Sequence, residues 1–284
     1  MKKIFLLIVI LPLAGKAQPF IDLVSIYYQY SAADKPRNNN LVYTNLASVG
    51  LTVPLKVDSD FVVINPVYEN FRMTFPHVFV PREFHSIYMP LSWLHQWNPV
   101  WKTAFVFIPR ISSQLDVNIN SHDLQFGGAV LTSIQKKETL KYKFGLYYNS
   151  EFFRHFFMPL LGIDWNINSK WNLFGVLPGS LNIEYKFRKS MHGGILFRSI
   201  TSSYRTSGFN FIRVNDNHIK LFLDIYATKN QVISFEAGHT LLRNYRSGYR
   251  ESGKTEYYAM NVTDGLLFRV AYSFRLRTDE PARQ

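Results

Sequence analysis

One stretch of the sequence has the residue types and spacing of a phosphate-binding loop. The residues from Gly248 to Thr255 read GYRESGKT and match the P-loop pattern G-x-x-x-x-G-K-[ST]. A P-loop holds phosphate because it follows a buried hydrophobic strand and opens a helix whose N-terminal amides bind the anion. Here the polar segment LLRNYR precedes the match and the β-prone segment EYYAMNV follows it. We therefore interpret the match as a polar surface loop and not as a nucleotide site.

Basic residues in and beside this loop indicate a different partner. Arg243, Arg246, Arg250 and Lys254 lie close together in the sequence. Cationic side chains at a membrane surface attract anionic lipid head groups. We expect these four residues to meet anionic head groups.

Histidine and serine could form a nucleophile and base for the hydrolysis of a lipid ester. None of the eight histidines has a serine two positions later, the His-x-Ser order that outer-membrane phospholipases carry on one strand, and no H-E-x-x-H metal pattern occurs. A pair built from distant positions stays open. A lipase-type enzyme is therefore the third function considered, and the histidines are read first as structural residues.

Four charged residues occupy the polar phase of neighbouring segments: Asp164, Glu184, Lys186 and Arg198. In the segment LNIEYKFR, from Leu181, apolar and polar residues alternate, so a strand with this period has one apolar and one polar face. Opposite charges on the polar face could cross-link the wall of a barrel or line a pore. We interpret the four as a luminal charged cluster, with cross-linking favoured over pore lining.

The elements that carry these residues are β-strands. Between residues 20 and 277 the chain contains fourteen period-two or aromatic-rich segments, with twelve as the nearest even alternative. Their lengths are close to the 9 to 11 or so residues of a tilted transmembrane strand, and no long segment has the period of an amphipathic helix. The pattern predicts an all-β fold, a transmembrane antiparallel up-and-down β-barrel. A soluble β-sandwich or sugar-binding barrel with an aromatic core is the alternative.

The connections between these segments alternate between short polar turns and longer loops, as in barrels with short periplasmic turns. We expect contacts with solute in two of the longer loops, 203–216 and 242–255. All five tryptophans flank two of the short turns, which suits indole rings at a membrane interface. They form a predicted interfacial belt of Trp93, Trp97, Trp101, Trp165 and Trp171.

The N-terminal residues 1–17 have the pattern of a secretory signal: two lysines, an apolar run, and a small-x-small site ending at Ala17. Their removal takes away three lysines and no acid, which lowers the formal charge from +12 to +9. Export makes nucleic acid an improbable partner, so anionic lipid or an anionic solute is expected. The chain has no cysteine, which excludes disulfides and lipid attachment through cysteine. We predict one barrel domain, residues 18–284, with no cofactor.

A very short connection, Leu177 to Ser180, reads LPGS. Proline at the second position and glycine at the third are the preferences of a type II turn, in which glycine takes a positive φ. We expect Pro178 and Gly179 to set the register of the flanking strands.

The central stretch carries a family resemblance. Pro159 to Trp165 (PLLGIDW), the LPGS turn and Glu184-Tyr185 resemble the P-x-x-G-x-x-W, LPGS and EY core of an uncharacterised family of Gram-negative outer-membrane β-barrels. The resemblance implies the fold and an outer-membrane location, and leaves activity open. A channel or passive transporter for small solutes is the leading expectation. A structural or ligand-binding barrel with a closed lumen is second.

Overall fold

The computed structural model describes residues 19–33, 43–75, 82–114, 121–206, 210–251 and 254–278. The expected signal peptide, residues 1–17, lies outside these ranges. Within them, no helix combines the length and the apolar character needed to cross a membrane.

The described chain folds into fourteen strands, of which β2, β3, β4 and β14 consist of two segments each. The bounds are β1 Phe20–Ala32, β2 Tyr43–Leu51 with Val53–Val57, β3 Asp60–Ile64 with Val67–Thr74, β4 Arg82–Tyr88 with Leu91–Gln96, β5 Trp101–Ser113, β6 Leu124–Lys137, β7 Leu140–Glu151, β8 Arg154–Asn166, β9 Trp171–Leu177, β10 Ser180–Arg188, β11 Met191–Arg205, β12 Asn210–Tyr226, β13 Gln231–Glu251 and β14 Lys254–Ala259 with Leu266–Arg277. One turn of 3-10 helix, Ser121–Asp123, precedes β6.

The sheet closes on itself because β1 pairs with both β2 and β14. Tyr28, for example, lies opposite Ala47 on one side and Val270 on the other. Successive strands are antiparallel throughout. Closure gives the first and last strands partners, which is what a sheet in lipid needs for its backbone groups. The predicted antiparallel barrel of fourteen strands is confirmed.

Prolines cause the interruptions in β3 and β4. Pro66, Pro90 and Pro109 sit in three adjacent strands, and a proline has no N–H to give to the ladder. Their carbonyl oxygens still accept bonds of 3.0 to 3.1 Å from the preceding strand, from Leu51, Asn65 and Met89. The wall therefore stays connected across each interruption.

The wall has an apolar outer face and a polar inner face. On β10, Ile183 is 39% exposed on the outside, whereas the adjacent Glu184 is fully buried inside. The outer face carries large exposed hydrophobic side chains on many strands, among them Phe157, Leu161 and Leu221. A barrel with this exterior matches the apolar band of transmembrane barrels.

The two rims differ in their connections. One rim, here called the short-turn rim, holds the start of β1, the end of β14 and six tight turns, at 57–60, 96–101, 137–140, 166–171, 188–191 and 226–231. The opposite, long-loop rim holds the remaining connections. Three of these are tight as well: Glu151 to Arg154, Leu177 to Ser180 and Glu251 to Lys254.

Two stretches expected to be long loops are largely strand. β11 continues to Arg205 and β12 begins at Asn210, while β13 and β14 pair up to Glu251 and Lys254. The P-loop-like match is therefore a β-hairpin, with Gly248 opposite Tyr257. The loop prediction was wrong because the polar composition of these strands masks their period of two.

The β9–β10 turn also differs from its expected form. Gly179 does not have the positive φ that a type II turn requires, and the Leu177–Pro178 peptide bond is cis. Among the described glycines the positive φ belongs to Gly175, at 152° on β9. A Cβ at Gly175 would lie 2.3 Å from the carbonyl oxygen of Ser180 on β10, so glycine is needed there for the close approach of the strands.

Because β9 and β10 are short, the wall has a gap above them. The β8–β9 ladder ends at Leu161 opposite Leu177, and the β10–β11 ladder ends at Ser180 opposite Arg198. Beyond these points, residues 154–160 of β8 and 199–205 of β11 have no strand ladder between them in the described chain. We call this opening, with the 177–180 turn as its floor, the wall gap.

The upper end of β11 turns into the lumen beside the wall gap. Ser202, Ser203 and Tyr204 are consecutive, yet all are buried, whereas side chains of an ordinary barrel wall alternate between two sides. Ser203 donates a hydrogen bond to Glu151 of β7, and the Tyr204 ring stacks 5.7 Å from Phe71 of β3. Both faces of this strand end therefore contact the interior of the protein.

Candidate functional site in the barrel lumen

The inner face of β12 runs the length of the lumen. Its side chains therefore show which groups fill the lumen at each height. From the short-turn rim upward it carries Asp224, Lys220, His218, Asp216 and Val214, all buried. The first two belong to ion-pair layers, the next two to a polar cavity, and Val214 to an apolar cluster. The lumen is thus layered from charged to apolar.

Arginines of β14 fill the lumen at the short-turn rim. Arg275 lies 2.6 Å from Asp22 and 2.5 Å from Asp224. Arg277 lies 2.7 Å from Glu184 of β10. A buried charge is costly unless it is paired and hydrogen-bonded, and here each guanidinium has carboxylate partners. We call these contacts the basal ion pairs.

A second charged layer lies above the basal ion pairs. Glu236 of β13 is 2.5 Å from the Lys220 ammonium group and 3.0 Å from the Arg269 guanidinium. The Arg269 guanidinium also lies 3.8 Å from the centre of the Tyr27 ring, in cation–π geometry. One carboxylate therefore bridges two cations from β12 and β14.

A cavity of about 340 Å³ lies above this layer. Its polar side includes Tyr27 and Tyr88, whose hydroxyl groups donate to one Glu69 oxygen at 3.2 and 3.1 Å. Arg110 lines it as well and is 3.4 Å from Glu151. This volume falls at the lower end of the range found for small-molecule sites.

Two side chains on the cavity have unused polar groups. The guanidinium of Arg198 makes no hydrogen bond or ion pair with any other described residue. His218 is fully buried, with Nε2 3.3 Å from Asp216, while Nδ1 has no hydrogen-bond partner in the described part of the chain. Buried polar groups are almost always satisfied, so the unpartnered His218 Nδ1, beside the partly exposed Arg198, suggests a place for a ligand.

An apolar cluster closes the lumen above the cavity. Phe71 and Phe84 come from β3 and β4, and Tyr204 and Tyr245 from the opposite side of the barrel. Tyr245 is fully buried and donates a 2.8 Å hydrogen bond to Asp216. The apolar plug consists of Phe71, Met73, Phe84, Tyr204, Ile212, Val214 and Tyr245.

The charged residues predicted as one luminal cluster are distributed over two layers. Asp164 pairs with Lys143 of β7 at 2.7 Å, and Glu184 pairs with Arg277 across the lumen. Lys186 lies on β10 nearer the same rim. The fourth residue, Arg198, lines the cavity and not the basal layer.

The five tryptophans of the predicted belt lie on the outer face at the short-turn rim. Their exposed fractions run from 38% to 60%. Trp93 donates a 2.9 Å hydrogen bond to Asp60, so its polar atom is held at the rim. That these five residues lie at a membrane interface stays a prediction: Trp93, Trp97, Trp101, Trp165 and Trp171.

The basic residues expected at lipid head groups do not share one surface. The Arg243 side chain is completely buried in the lumen, with Nε 3.5 Å from Asp216. Its predicted contact with lipid was wrong, because its position on β13 faces inward. Arg246 is partly buried against an aromatic ring, and Lys254 is exposed. The side chain of Arg250 lies outside what the structure describes.

Sequence reasoning missed the basal arginines and the apolar plug. Arg275 and Arg277 alternate with apolar residues in the same phase as Arg269, a signal that was present at the end of the last strand. The plug residues gave no such signal, since an apolar side chain in a strand looks the same whether it faces lipid or a packed lumen. Among the described residues, no group of three or more His, Cys, Asp and Glu side chains is placed to hold a metal ion.

The closed wall, the apolar exterior and the charged lumen define a transmembrane β-barrel with a cavity inside it. Residues 24–277 match the family model described as Domain of unknown function (DUF6268), and the chain belongs to that family. The resemblance to an uncharacterised barrel family is thereby confirmed. None of the curated proteins matches the chain.

Several solved structures are similar in fold. The COG4313 outer membrane channel from Pseudomonas putida F1 has 10% identity and a TM-score of 0.48, covering 94% of this chain and 100% of that one. The TodX monoaromatic hydrocarbon channel (deltaS2 mutant) has 9% identity and a TM-score of 0.45, and the match covers 91% of this chain and 91% of that one. The NanC porin has 7% identity and a TM-score of 0.44, and the match covers 89% of this chain and 100% of that one. At such low identity no solute carries over to this chain.

Proposed function

We propose that this protein is an outer-membrane barrel, exported with cleavage after Ala17, that takes a small solute into its lumen and passes it across the membrane. The observation that carries the proposal is the 340 Å³ cavity between the charged layers and the apolar plug. A barrel that served only as a structural element could pack this level with side chains, as it does directly above.

The cavity suits a solute that is partly polar. Hydroxyl, carboxylate and guanidinium groups line one side, while Phe71, Leu46 and Val214 line another. Toward the short-turn rim the ion-paired layers fill the lumen, so a solute passes there only by exchanging hydrogen bonds with these side chains as they move aside. Toward the long-loop rim the apolar plug stands in the axial path. Passage along the axis therefore depends on movement of the plug.

The lipid partners follow from the exterior. The apolar outer face contacts acyl chains, and the tryptophan belt marks the interface at the short-turn rim. Arg246 and Lys254, near the long-loop rim, remain as candidates for anionic head groups. Their contribution falls as salt rises, since exposed charges are screened within a Debye length of about 8 Å at physiological ionic strength.

A ligand-binding barrel with a closed lumen is the second candidate, and the apolar plug favours it. Seven buried side chains from opposite walls meet above the cavity. If the plug never moves and the cavity has no other opening, a solute is bound but not passed. Binding and passage must therefore be measured separately.

The test is solute passage into proteoliposomes, followed by swelling, for the native barrel and a cavity-filling variant. Ser202→Trp fills the cavity from β11, and Ile195→Trp places the same side chain on the outer face of the same strand. We expect passage of small solutes to fall at least tenfold in Ser202→Trp and to stay unchanged in Ile195→Trp. Heat-modifiable gel mobility verifies that both variants are folded.

The outcomes separate the candidates. Binding of solutes by the native barrel without any passage establishes the closed-lumen alternative. Equal passage by both variants shows that solute does not use this cavity and overturns the proposal. Release of fatty acid from phospholipid vesicles by the native barrel would instead support the lipase-type enzyme.

A further inference from the structure

The wall gap interrupts the barrel wall near the long-loop rim, above the level at which the sheet is closed. Residues 154–160 of β8 pair with β7 but not with β9, and residues 199–204 of β11 pair with β12 but not with β10. Arg205, just above, bridges to Ser113 of β5. Open strand edges are not tolerated in contact with hydrocarbon unless they line a cavity or are covered. The gap therefore needs a physical explanation.

The gap opens at the height of the membrane half nearer the long-loop rim. Phe157, at its edge, lies eight positions along β8 from Trp165 of the interfacial belt. At about 3.3 Å per residue and a tilt of about 40°, this places Phe157 roughly 20 Å above the belt. An apolar band of about 25 Å thus still reaches the lower part of the gap.

The cavity reaches this gap. Its lining includes Arg198, Ser199, Ile200, Thr201 and Ser202, which are consecutive on β11. Consecutive residues can line one cavity here because the upper end of β11 turns into the lumen, away from the ordinary course of a barrel wall. The cavity therefore touches both faces of β11 beside the opening in the wall.

The far side of this passage is apolar. Tyr147 lines the cavity and lies opposite Met158 of β8, with the Phe156 ring 6.1 Å from the Tyr147 ring. Met158 and Phe156 lie on the unpaired part of β8 and remain partly exposed. An apolar group entering between β8 and β11 would meet these side chains first.

The inner end of the passage is cationic. Arg198 is the last residue of β11 with a partner on β10, so it stands at the floor of the gap and faces the cavity. Its guanidinium has no ion pair or hydrogen bond in the described structure, and the Nδ1 atom of the nearby His218 is also unpartnered. An anionic group at this point would be held by a charge-assisted bond.

We propose that the wall gap is a lateral entry from the bilayer to the cavity for a small single-chain amphiphile with one anionic group. The apolar body passes along Phe156 and Met158, and the anionic group stops at Arg198. This inference rests on the proposed function for the cavity and adds the route and the chemical class. The plug can then remain closed while the amphiphile enters from the side.

Site-specific labelling in liposomes tests the opening independently of transport, because the chain has no cysteine of its own. Thr201→Cys places a thiol on the passage. Ile195→Cys on the outer face is the lipid-accessible control, and Ser112→Cys, fully buried, is the closed control. With a maleimide dissolved in the bilayer, we expect Thr201→Cys to react within tenfold of the rate of Ile195→Cys. A rate as slow as that of Ser112→Cys overturns the lateral opening.

Protection of the same thiol tests the chemical class. Octanoate should slow the labelling of Thr201→Cys at least fivefold, whereas octanol and acetate, each lacking one half of the amphiphile, should slow it less than twofold. Adding Arg198→Gln should abolish protection by octanoate and leave the unprotected rate unchanged. Equal protection by octanol and octanoate would contradict the proposal that the ligand needs an anionic group. Failure of solute passage alone, with protection intact, contradicts the proposed transport and leaves the entry site standing.

Discussion

Individual side chains in the lumen are held mainly by ion pairs that span strands. Glu236 is the clearest case, because a single carboxylate balances Lys220 and Arg269. The removal of one partner from a buried ion pair leaves an uncompensated charge, which typically costs about 3 to 5 kcal/mol. The polar half of the barrel interior is therefore sensitive to the loss of any one partner of these pairs.

Glu236→Gln should lower the free energy of unfolding by about 3 to 5 kcal/mol, since it leaves two cations without their carboxylate. The matched control is Glu138→Gln in an exposed turn, which should stay within about 0.5 kcal/mol of the native protein. Denaturant titration of the barrel in lipid vesicles measures both. An equal loss of unfolding free energy in the two variants would mean that the Glu236 ion pairs do not stabilise the barrel more than an exposed carboxylate does.

Among the secondary-structure elements, the β9–β10 hairpin has the largest influence on the shape of the wall. Its short strands create the wall gap, and its register brings Gly175 against Ser180. The resemblance in the sequence centred on this hairpin, but the glycine that the geometry needs is Gly175 and not Gly179.

Gly175→Ala should reduce the yield of folded barrel markedly. Its φ of 152° is unfavourable for an L side chain, at a cost of about 1 to 3 kcal/mol, and the new Cβ meets backbone at 2.3 Å. Gly179→Ala is the control, because its Cβ would lie 3.3 Å from the carbonyl oxygen of Val176. Folded fractions are read from heat-modifiable gel mobility. If Gly179→Ala is the more damaging change, the turn and not the strand sets the register.

The strands themselves could be predicted from sequence, whereas the course of their upper ends could not. The alternation in LNIEYKFR predicts strand β10 and the inward direction of the Glu184 side chain, because a period of two is a local property of the sequence. The inward turn of β11 depends on contacts of Ser203 and Tyr204 with β7 and β3, which are distant in sequence. Arg198 lines the cavity, and its height in the lumen follows from strand stagger, which the pattern does not encode.

At the scale of the whole molecule, the barrel separates an apolar exterior from an interior that is charged below and apolar above. The two apolar surfaces look alike in sequence but have opposite surroundings. Ile183 faces outward and is exposed, while Phe84 faces inward and is completely buried. The exterior, and not the interior, indicates that the barrel spans a membrane.

Ile183→Arg should cost about 2 to 4 kcal/mol if the site is near the midplane, because it places a cation in hydrocarbon. Asn182→Arg, one residue away on the inner face, should be tolerated far better. The readout is the amount of heat-modifiable barrel in the outer-membrane fraction. Recovery of the native protein from the soluble periplasmic fraction, or equal losses for both variants, would contradict the assignment of the two faces.

The pairing of the first strand with the last has a consequence for assembly. Asp22 and Arg275 are separated by 253 residues, so their contact closes a loop that contains nearly the entire barrel. The entropy of bringing such distant segments together must be overcome before the contact yields any energy. Because Arg275 and Arg277 both lie on β14, the acids at the bottom of the lumen stay without these partners until that strand docks. Completion of the wall and neutralisation of its base are therefore one and the same step in the folding of this chain.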